Sequence, residues 1–370
     1  MASEGFHSKN EIGQPAQSFP SMWGDTFISK NIDTHEVQVK YDESVAPLRE
    51  EVREMLMAKE SKTTMEKYDL FNTSLLFRLF RQHGYIIPCG VFDRFMKDTD
   101  DEFSSDLKSD IKGLLSLYEA TGVRIQGENV LEEAITFTTY HLNRFRSEID
   151  SNLLIREKVS RALHQSIHRE VPIIGARYYI PIYEKEESSN ELIVRFAKLN
   201  FNYLQSLYQK ELFDLTRWWR DSNMCSKVPY VRDRIVESYV WEVGMNYEPQ
   251  YSFARAAVAK IIQLTTVLDD TYDTYAPLED LEIFTQVLQS GELGEIDRLP
   301  DYLKEIYKFI WKTYEEFDRE ASKHEKNYAS SYFKESMKQL HLAYHKEANW
   351  YRRKHVPPFE DVLSLGLATS

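Results

Sequence analysis

The stretch IIQLTTVLDDTYDTYAPLEDL, residues 261–281, places three carboxylates in a segment whose apolar residues recur at helical spacing. Asp269 and Asp273 are four residues apart, so on a helix they lie on one side, with Asp270 beside them. Like charges at this spacing repel. Pro277 should end the helix nearby, where the helix dipole also disfavours negative charge. Such a cluster indicates a compensating partner, and a divalent cation is the obvious candidate.

The composition indicates an ordinary soluble globular protein with room for two or more domains. The chain has 370 residues, of which 42% are hydrophobic and 28% are charged. Its 46 basic and 59 acidic residues give a formal net charge of −13, which argues against a general nucleic-acid-binding protein. An acidic protein that handles a polyanionic substrate needs local basic residues or metal ions to receive it.

The cysteines and the apolar runs bear on the cellular compartment. Cys89 and Cys225 are too few for a disulfide framework, and their separation suits no zinc site. No apolar run approaches the ~18 residues of a membrane helix. The first residues, MASEGFHSKNEIGQP, lack the features of a secretory or organellar leader. We therefore expect a cytoplasmic protein without a membrane span.

Nearly every longer segment has the period of an amphipathic helix, which predicts an all-α protein. Examples are VAPLREEVREMLMAKE, SLLFRLFRQHG, DIKGLLSLYEATG and REKVSRALHQSIHRE. The stretch VPIIGARYYIPIYEKEESSNE, residues 171–191, contains two prolines, a glycine and a charged run. These residues indicate a domain junction or an extended connector. We therefore expect two domains, residues 1–190 and 191–370.

Two arginines upstream of the aspartates form a second candidate feature. Arg232 and Arg234 are two residues apart and follow Pro229. On a helix they would point apart, whereas on an extended loop, which Pro229 favours, they share a face. Paired guanidiniums suit phosphate oxygens, which they bind in bidentate fashion. A surface salt bridge to Asp233 or Glu237 explains the pattern equally well.

Aromatic residues accompany these polar groups, beginning with Trp241 and followed by Tyr247 and Tyr251. Aromatic rings stabilise cations through their quadrupole, although a tryptophan is more often a core residue, as we expect for Trp218 and Trp219. Mg²⁺ prefers one or two carboxylates together with substrate phosphates. Carboxylates, arginines and aromatic rings together suit a reaction that expels diphosphate and leaves a carbocation. The alternative for the aspartates is a solvated acidic helix end.

Two histidine pairs have the spacing of a helical metal site, His164 with His168 and His341 with His345. Both segments are otherwise polar and charged. A solvated helix face is therefore the preferred interpretation of both pairs.

The sequence resembles the plant class I terpene synthases, and among them the cytosolic sesquiterpene synthases. Asp269-Asp270-Thr-Tyr-Asp273 is similar to the family's DDxxD motif, and Arg232-Asp-Arg234 is similar to its RxR motif at the family's distance upstream. Supporting stretches include FRLFRQHGY, RFAKLNFNYLQ, YEPQYSFAR and NWYRRKHVPPFEDVL. The resemblance runs from Trp23 to the last residue and so covers nearly the whole chain.

This resemblance implies an all-α fold with an N-terminal, α-barrel-like helical domain and the first half of a class I terpenoid synthase helical domain. The segment around Trp23 would be the strand that caps the catalytic domain. The implied activity is the Mg²⁺-dependent ionisation and cyclisation of farnesyl diphosphate to a sesquiterpene, with release of diphosphate. Mn²⁺ is the implied alternative to Mg²⁺.

The resemblance also implies roles for the motif residues. Asp269 and Asp273 would bind the metal ions that bridge to the diphosphate, and Asp270 would support them. Arg232 and Arg234 would receive the departing diphosphate.

The remaining implied features concern the carbocation and the partners. Trp241 would face the carbocation. The only partner implied is an isoprenyl diphosphate, with no nucleic acid. A monomer is expected, with association through the exposed faces of the partial domain as the alternative.

The chain departs from the family pattern in three places. Many monoterpene synthases carry tandem arginines before the tryptophan that corresponds to Trp23. No arginine precedes Trp23 here, which favours farnesyl diphosphate as the substrate. The chain is shorter than the family near residues 58–70, and it ends at LSLGLATS, before the family's second metal motif. The sequence therefore leaves two alternatives to an active synthase, namely an impaired short form and an all-helical interaction scaffold.

Overall fold

The computed structural model describes residues 21–28, 37, 39, 41–57, 68–97, 103–148, 153–291, 293–323, 325–326 and 328–369. The expected shortening near residues 58–70 lies largely outside them. The chain divides into two compact units, Gln38–Tyr203 and Leu204–Ser370, and the second also includes Met1–Val37. This division falls inside a long helix, Glu191–Ser222. The domain boundary at residue 190 stays a prediction.

The unit Gln38–Tyr203 is built from amphipathic helices. Their bounds are α1 (Ala46–Met57), α2 (Leu70–Gln82), α3 (Ile111–Ala120), α4 (Asn129–Ser147), α5 (Leu153–His164) and α6 (Pro172–Glu184), followed by the first residues of α7 (Glu191–Ser222). Asp69 and Asp110 cap α2 and α3, and each side chain accepts a backbone hydrogen bond at 2.9 Å. The apolar faces of α2, α3 and α4 meet in a core around Phe77 and Leu117.

Residues 172–184 form the helix α6, so the predicted extended connector is wrong for this segment. Pro172 occupies the first helical position, where its missing N–H costs no helical hydrogen bond. Pro181 lies inside α6, and Gly175 faces Glu170 so closely that a Cβ would lie 2.7 Å from Oε2 of that residue. Each residue that indicated a turn therefore has a role within a helix.

The second unit holds the segment with the aspartates. Its helices after α7 are α8 (Met224–Lys227), α9 (Ile235–Met245), α10 (Ser252–Asp270), α11 (Leu278–Ser290), α12 (Asp301–Lys323), α13 (Tyr328–Arg352) and α14 (Phe359–Thr369). Trp219, Leu268 and Tyr307 belong to its core, and Trp218 packs against it, as predicted for both tryptophans. This core surrounds the C-terminal half of α10 and thereby fixes the position of the aspartate cluster.

The segment around Trp23 forms turns over residues 22–28, so the predicted strand is wrong for these residues. Asp25 pairs with Arg220, and Phe27 packs against the core of the same unit. The segment around Trp23 therefore makes the predicted contact with the core of the second unit, although the backbone of residues 22–28 is not extended. The rest of the N-terminal segment lies mostly outside the described residues.

The described part of the chain is helical, which confirms the all-α fold class. Its only β pairing is an isolated bridge between Met96 and Phe103. Among the described helices, none is both long enough and apolar enough to cross a membrane.

Candidate active site

The aspartate cluster lies where α10 passes into a π-helical turn, Thr271–Tyr275. Asp269 and Asp270 end α10, and Asp273 lies in the π-helical turn. Asp270 is buried, Asp269 is half-buried and Asp273 is exposed. The predicted position at the end of a helix is therefore confirmed.

Buried side chains hold this turn in place. Tyr272 is fully buried against Phe284, and its hydroxyl lies 2.9 Å from Oγ1 of Thr285 on α11. The Ala276 N–H donates to the carbonyl of Thr271 at 3.0 Å. With Thr271 and Tyr272 packed inward, the next residue, Asp273, is carried to the surface.

Arg232 joins the loop before α9 to the aspartates. Its Nη2 donates to Oδ2 of Asp269 at 2.7 Å, and its Nε donates to Oδ1 of Asp270 at 2.7 Å. Its backbone N–H also donates to Oδ2 of Asp270, at 2.8 Å. The sequence left open a surface salt bridge with a nearby acidic residue, but Arg232 pairs with the predicted metal ligands instead.

A tyrosine stack supports the same loop from its N-terminal side. The ring of Tyr230 stacks on that of Tyr275, with ring centroids 3.9 Å apart and an interplanar angle of 16°. The hydroxyl of Tyr230 lies 3.1 Å from Oγ1 of Thr271. The loop and the π-helical turn are therefore held together by aromatic contact as well as by charge.

The electrostatics of the cluster are those of crowded carboxylates. Although Asp273 is exposed, its pKa is raised to about 6, first because neighbouring protein displaces part of the water around its carboxyl and then because Asp269, Glu347 and Asp270 are negative. Burial likewise raises the pKa of Asp270, and the hydrogen bonds and charge of Arg232 oppose that rise. Arg232 offsets only part of the repulsion among these carboxylates, and a bound cation would reduce it further.

The donors suit a hard divalent cation, because carboxylate oxygens are the ligands that Mg²⁺ prefers. Within the described part of the chain, no three His, Cys, Asp or Glu side chains form a group that would hold a metal ion by themselves. A cation at Asp269 and Asp273 would therefore complete its coordination with water or with oxygens of a ligand. Mg²⁺ commonly binds in this way.

Arg234 immediately precedes the adjacent helix, α9, and Trp241 lies on it. Arg234 is the residue before the first turn of α9, and its Nη1 lies 3.1 Å from the carbonyl of Asp233 and 3.9 Å from Oε1 of Glu237, the salt bridge that the sequence left open. Trp241 lies seven residues after Arg234. It is 61% exposed, so the alternative of a core residue is wrong.

Glu347 is an exposed carboxylate near the site that the sequence did not single out. It lies on α13 and raises the pKa values of both Asp273 and Tyr344. It is 78 residues from Asp269 and is one of several charged residues on its helix. No spacing rule connects it to the aspartates, so only the packing of α13 against the π-helical turn reveals it.

Only His164 fully matches the expected solvated face, because His168 and His345 are half-buried and His341 is buried. His341 is 3% exposed, and its Nε2 lies 3.0 Å from Nε2 of Gln289. A solvated face is therefore the wrong interpretation for His341, although His164 is exposed as predicted. His168 contacts the carbonyl of Glu119 through Nε2 at 2.9 Å.

Comparison with known families gives two matches, separated by residues 164–219. Residues 220–370 match the family described as the terpene synthase family, metal binding domain. Residues 57–163 match the terpene synthase N-terminal domain. The first match contains every predicted site residue.

Comparison with individual proteins gives the same result. The chain is 41% identical to gamma-cadinene synthase of Ocimum basilicum, over 97% of this chain and 72% of that protein. It is 39% identical to germacrene A synthase of Lavandula pedunculata subsp. lusitanica, with the same two coverages, 97% and 72%.

Two solved structures share the fold. A limonene synthase crystallised with 2-fluorolinalyl diphosphate superposes with a TM-score of 0.82 at 28% identity, covering 97% of this chain and 73% of that one. Isoprene synthase from grey poplar, Populus x canescens, in complex with three Mg²⁺ ions and dimethylallyl-S-thiolodiphosphate, superposes with a TM-score of 0.75 at 35% identity. This match covers 82% of this chain and 58% of the isoprene synthase chain.

Proposed function

The chain belongs to the terpene synthase family, and we propose that it ionises farnesyl diphosphate with the help of Mg²⁺ and cyclises the resulting carbocation to a sesquiterpene. The gamma-cadinene and germacrene A synthases among its relatives support this substrate class. The observation that carries the proposal is the position of Arg232, whose guanidinium lies 2.7 Å from carboxylate oxygens of both Asp269 and Asp270. A guanidinium that can bind an anion thus lies in direct contact with carboxylates that can bind or support a cation.

Asp269 and Asp273 are the residues that would hold the metal. Both keep carboxylate surface in contact with solvent, whereas Asp270 is buried and uses both oxygens to hold Arg232. Asp270, predicted as a third metal residue, would therefore support the other two. When bound, Mg²⁺ or Mn²⁺ would neutralise the charge that the diphosphate gains as it leaves.

Arg232 and Arg234 would bind the departing diphosphate. The side chain of Arg232 is 42% exposed while it is paired with the aspartates, and that of Arg234 is 34% exposed. Both can therefore reach ligand oxygens from the loop. Guanidiniums hold phosphate oxygens by paired, charge-assisted hydrogen bonds, which favours the departure of the group.

Trp241 would face the hydrocarbon part of the substrate. Its exposed indole lies on α9, the helix that follows Arg234. The face of an indole ring attracts a carbocation without forming a bond to it. This arrangement suits a reaction in which the charge moves away from the diphosphate along the chain.

The alternatives drawn from the sequence are less well supported. The named relatives are synthases, which favours an active enzyme over an impaired short form and over an interaction scaffold. A cytoplasmic location, a monomeric state and the domain boundary at residue 190 stay predictions from the sequence.

Calorimetry with farnesyl S-thiolodiphosphate, a substrate analogue that does not ionise readily, tests the metal residues. Asp269→Asn and Asp273→Asn should each weaken Mg²⁺-dependent binding by about tenfold or more. Even indirect partners of a metal ligand are worth roughly 10- to 100-fold in affinity. Asp318→Asn, at an exposed position on α12, is the matched control and should bind as the wild type does.

The same titration without Mg²⁺ completes the test. Binding by the wild type should then fall to the level of the two aspartate variants. Equal affinity of the wild type, Asp269→Asn and Asp273→Asn in the presence of Mg²⁺ would contradict the assignment of the cluster as the metal site.

A further inference from the structure

Gln263 is a fully buried polar residue in α10 that contacts the arginine loop. Its Oε1 accepts a hydrogen bond from the backbone N–H of Arg234 at 2.8 Å, and its Nε2 donates to the carbonyl of Arg232 at 2.9 Å. Glutamine is rarely buried completely, because its amide must then find partners for both ends. Here both ends bond to the backbone of the loop.

Gln263 and Asp270 act on the loop together. They are seven residues apart on α10, so they lie on the same side of the helix, and both are buried. Asp270 accepts the N–H of Arg232, while Gln263 binds the carbonyl of Arg232 and the N–H of Arg234. Three backbone groups of the loop are thus bonded to side chains of the helix that carries the aspartates.

These bonds matter because residues 231–234 belong to no helix. The N–H of Val231 donates to the carbonyl of Val228, and the carbonyl of Arg234 accepts from Ser238. The carbonyl of Arg232 and the N–H of Arg234 would need water if Gln263 were absent. The amide of Gln263 replaces water at two of these groups. It thereby fixes the distance and the direction of both arginine Cα atoms relative to α10.

We propose that Gln263 is a positioning residue, which holds Arg232 and Arg234 in register with the aspartates so that one diphosphate can contact both sets of groups. This role rests on the proposed function, since it presupposes that a diphosphate binds between the arginines and the metal residues. Gln263 itself touches no substrate. Its contribution is to order the loop before the ligand arrives, which lowers the entropy lost on binding.

A purely structural role would also explain a buried, hydrogen-bonded glutamine, so the test needs a control of the same chemistry. Gln289 on α11 provides it. Its Nε2 donates to the carbonyl of Lys338 at 3.1 Å and contacts Nε2 of His341 at 3.0 Å. Gln289→Met removes an amide and two contacts within the same unit, as Gln263→Met does, but not at the arginine loop.

The experiment measures the affinity for farnesyl S-thiolodiphosphate with Mg²⁺, and the thermal unfolding midpoint, for the wild type and both variants. Gln263→Met should weaken binding by about tenfold, the size expected when one or two hydrogen bonds that order a loop are lost. Gln289→Met should bind within about twofold of the wild type, even if its unfolding midpoint falls by as much as that of Gln263→Met. Hydrogen exchange of the peptide containing residues 229–235 should accelerate only in Gln263→Met.

Gln263→Glu keeps the test decisive should Gln263→Met fail to fold. Its carboxyl group retains an acceptor for the N–H of Arg234, so its affinity should lie between those of Gln263→Met and the wild type. If the wild type binds the analogue with Mg²⁺ and the Gln263 variants bind it equally well, the positioning role alone is overturned. A wild type that does not bind the analogue would overturn the proposed function, and the positioning role with it.

Discussion

His341 is the residue whose surroundings differ most from what its sequence neighbours indicate. It lies on α13 in a segment that also contains Lys338 and Lys346, yet it is 3% exposed and contacts Gln289. Its pKa is lowered to about 4, chiefly because burial disfavours the charged imidazolium. A hydrogen bond to the backbone of Met337 opposes the shift, and the charges of Lys338 and His345 add to it.

This shift predicts a pH dependence of stability. An unfolded histidine titrates near pH 6.5, so between about pH 6.5 and 4 the unfolded chain binds a proton that the folded chain does not. The contribution of His341 to stability is therefore present above pH 6.5 and is lost as the pH falls. At pH 5 the loss should reach about 2 kcal/mol.

Urea unfolding at pH 7.5 and pH 5.0 measures this loss. In His341→Gln, the decrease in unfolding free energy between the two pH values should be about 2 kcal/mol smaller than in the wild type. His164→Gln, at an exposed position, is the control and should retain the wild-type decrease. The same decrease in His341→Gln and in the wild type would show that His341 is not buried in its neutral form.

The residues of the site were predictable from sequence to different degrees. Asp269 and Asp273 repeat within one helical turn, so their repulsion is visible in the sequence itself. Glu347 and Gln263 carry no such local signal. Each becomes part of the site only through tertiary packing, Glu347 by the position of α13 and Gln263 by the path of the arginine loop.

At the scale of helices, one buried ion pair ties together the elements that precede the aspartates. Arg255 on α10 is completely buried, and its guanidinium binds both carboxylate oxygens of Glu211 on α7, at 2.9 and 2.7 Å. Its Nη1 also donates to the carbonyls of Asn246 and Glu248, and Tyr239 on α9 donates to Glu211 at 2.7 Å. The pair therefore links α7, α9, α10 and the connection between the last two helices.

Removing one partner of this pair should be costly, because it leaves a buried charge without compensation. Arg255→Met is expected to lower the unfolding free energy by about 3–5 kcal/mol. Asp221→Asn is the control, because it removes an exposed ion pair with Arg217 on the same long helix and should cost less than about 1 kcal/mol. Urea unfolding measures both, and a similar small cost for the two variants would contradict the structural role of Arg255.

Helices were the most predictable elements, because their signal is local. The apolar periodicity of residues 45–60, 74–84 and 110–122 leads directly to α1, α2 and α3. The segment of α6 was not predictable in this way, because prolines and glycines favour turns in isolation but are tolerated in a helix whose first turn or packing accommodates them. The π-helical turn at Thr271–Tyr275 was hidden for a similar reason, since it depends on the burial of Tyr272.

At the scale of the whole molecule, an acidic chain with a net charge of −13 must handle a polyanionic substrate. The proposed site would meet this requirement locally, because Arg232 lies against the aspartates at one end of α10. The long-range repulsion of an anion is thus offset where a divalent cation and two arginines would meet it. The family assignment supports the proposed function, and the local geometry is compatible with it.

The most direct measurement is the incubation of the purified chain with farnesyl diphosphate, with and without Mg²⁺, followed by gas chromatography and by an assay for released diphosphate. The account predicts Mg²⁺-dependent release of diphosphate together with a cyclic sesquiterpene, and loss of both in the double variant Asp269→Asn/Asp273→Asn. Asp318→Asn should behave as the wild type does. Failure of the wild-type chain to release more diphosphate and sesquiterpene than the double variant in the presence of Mg²⁺ would contradict the claim that these aspartates form a working ionisation site.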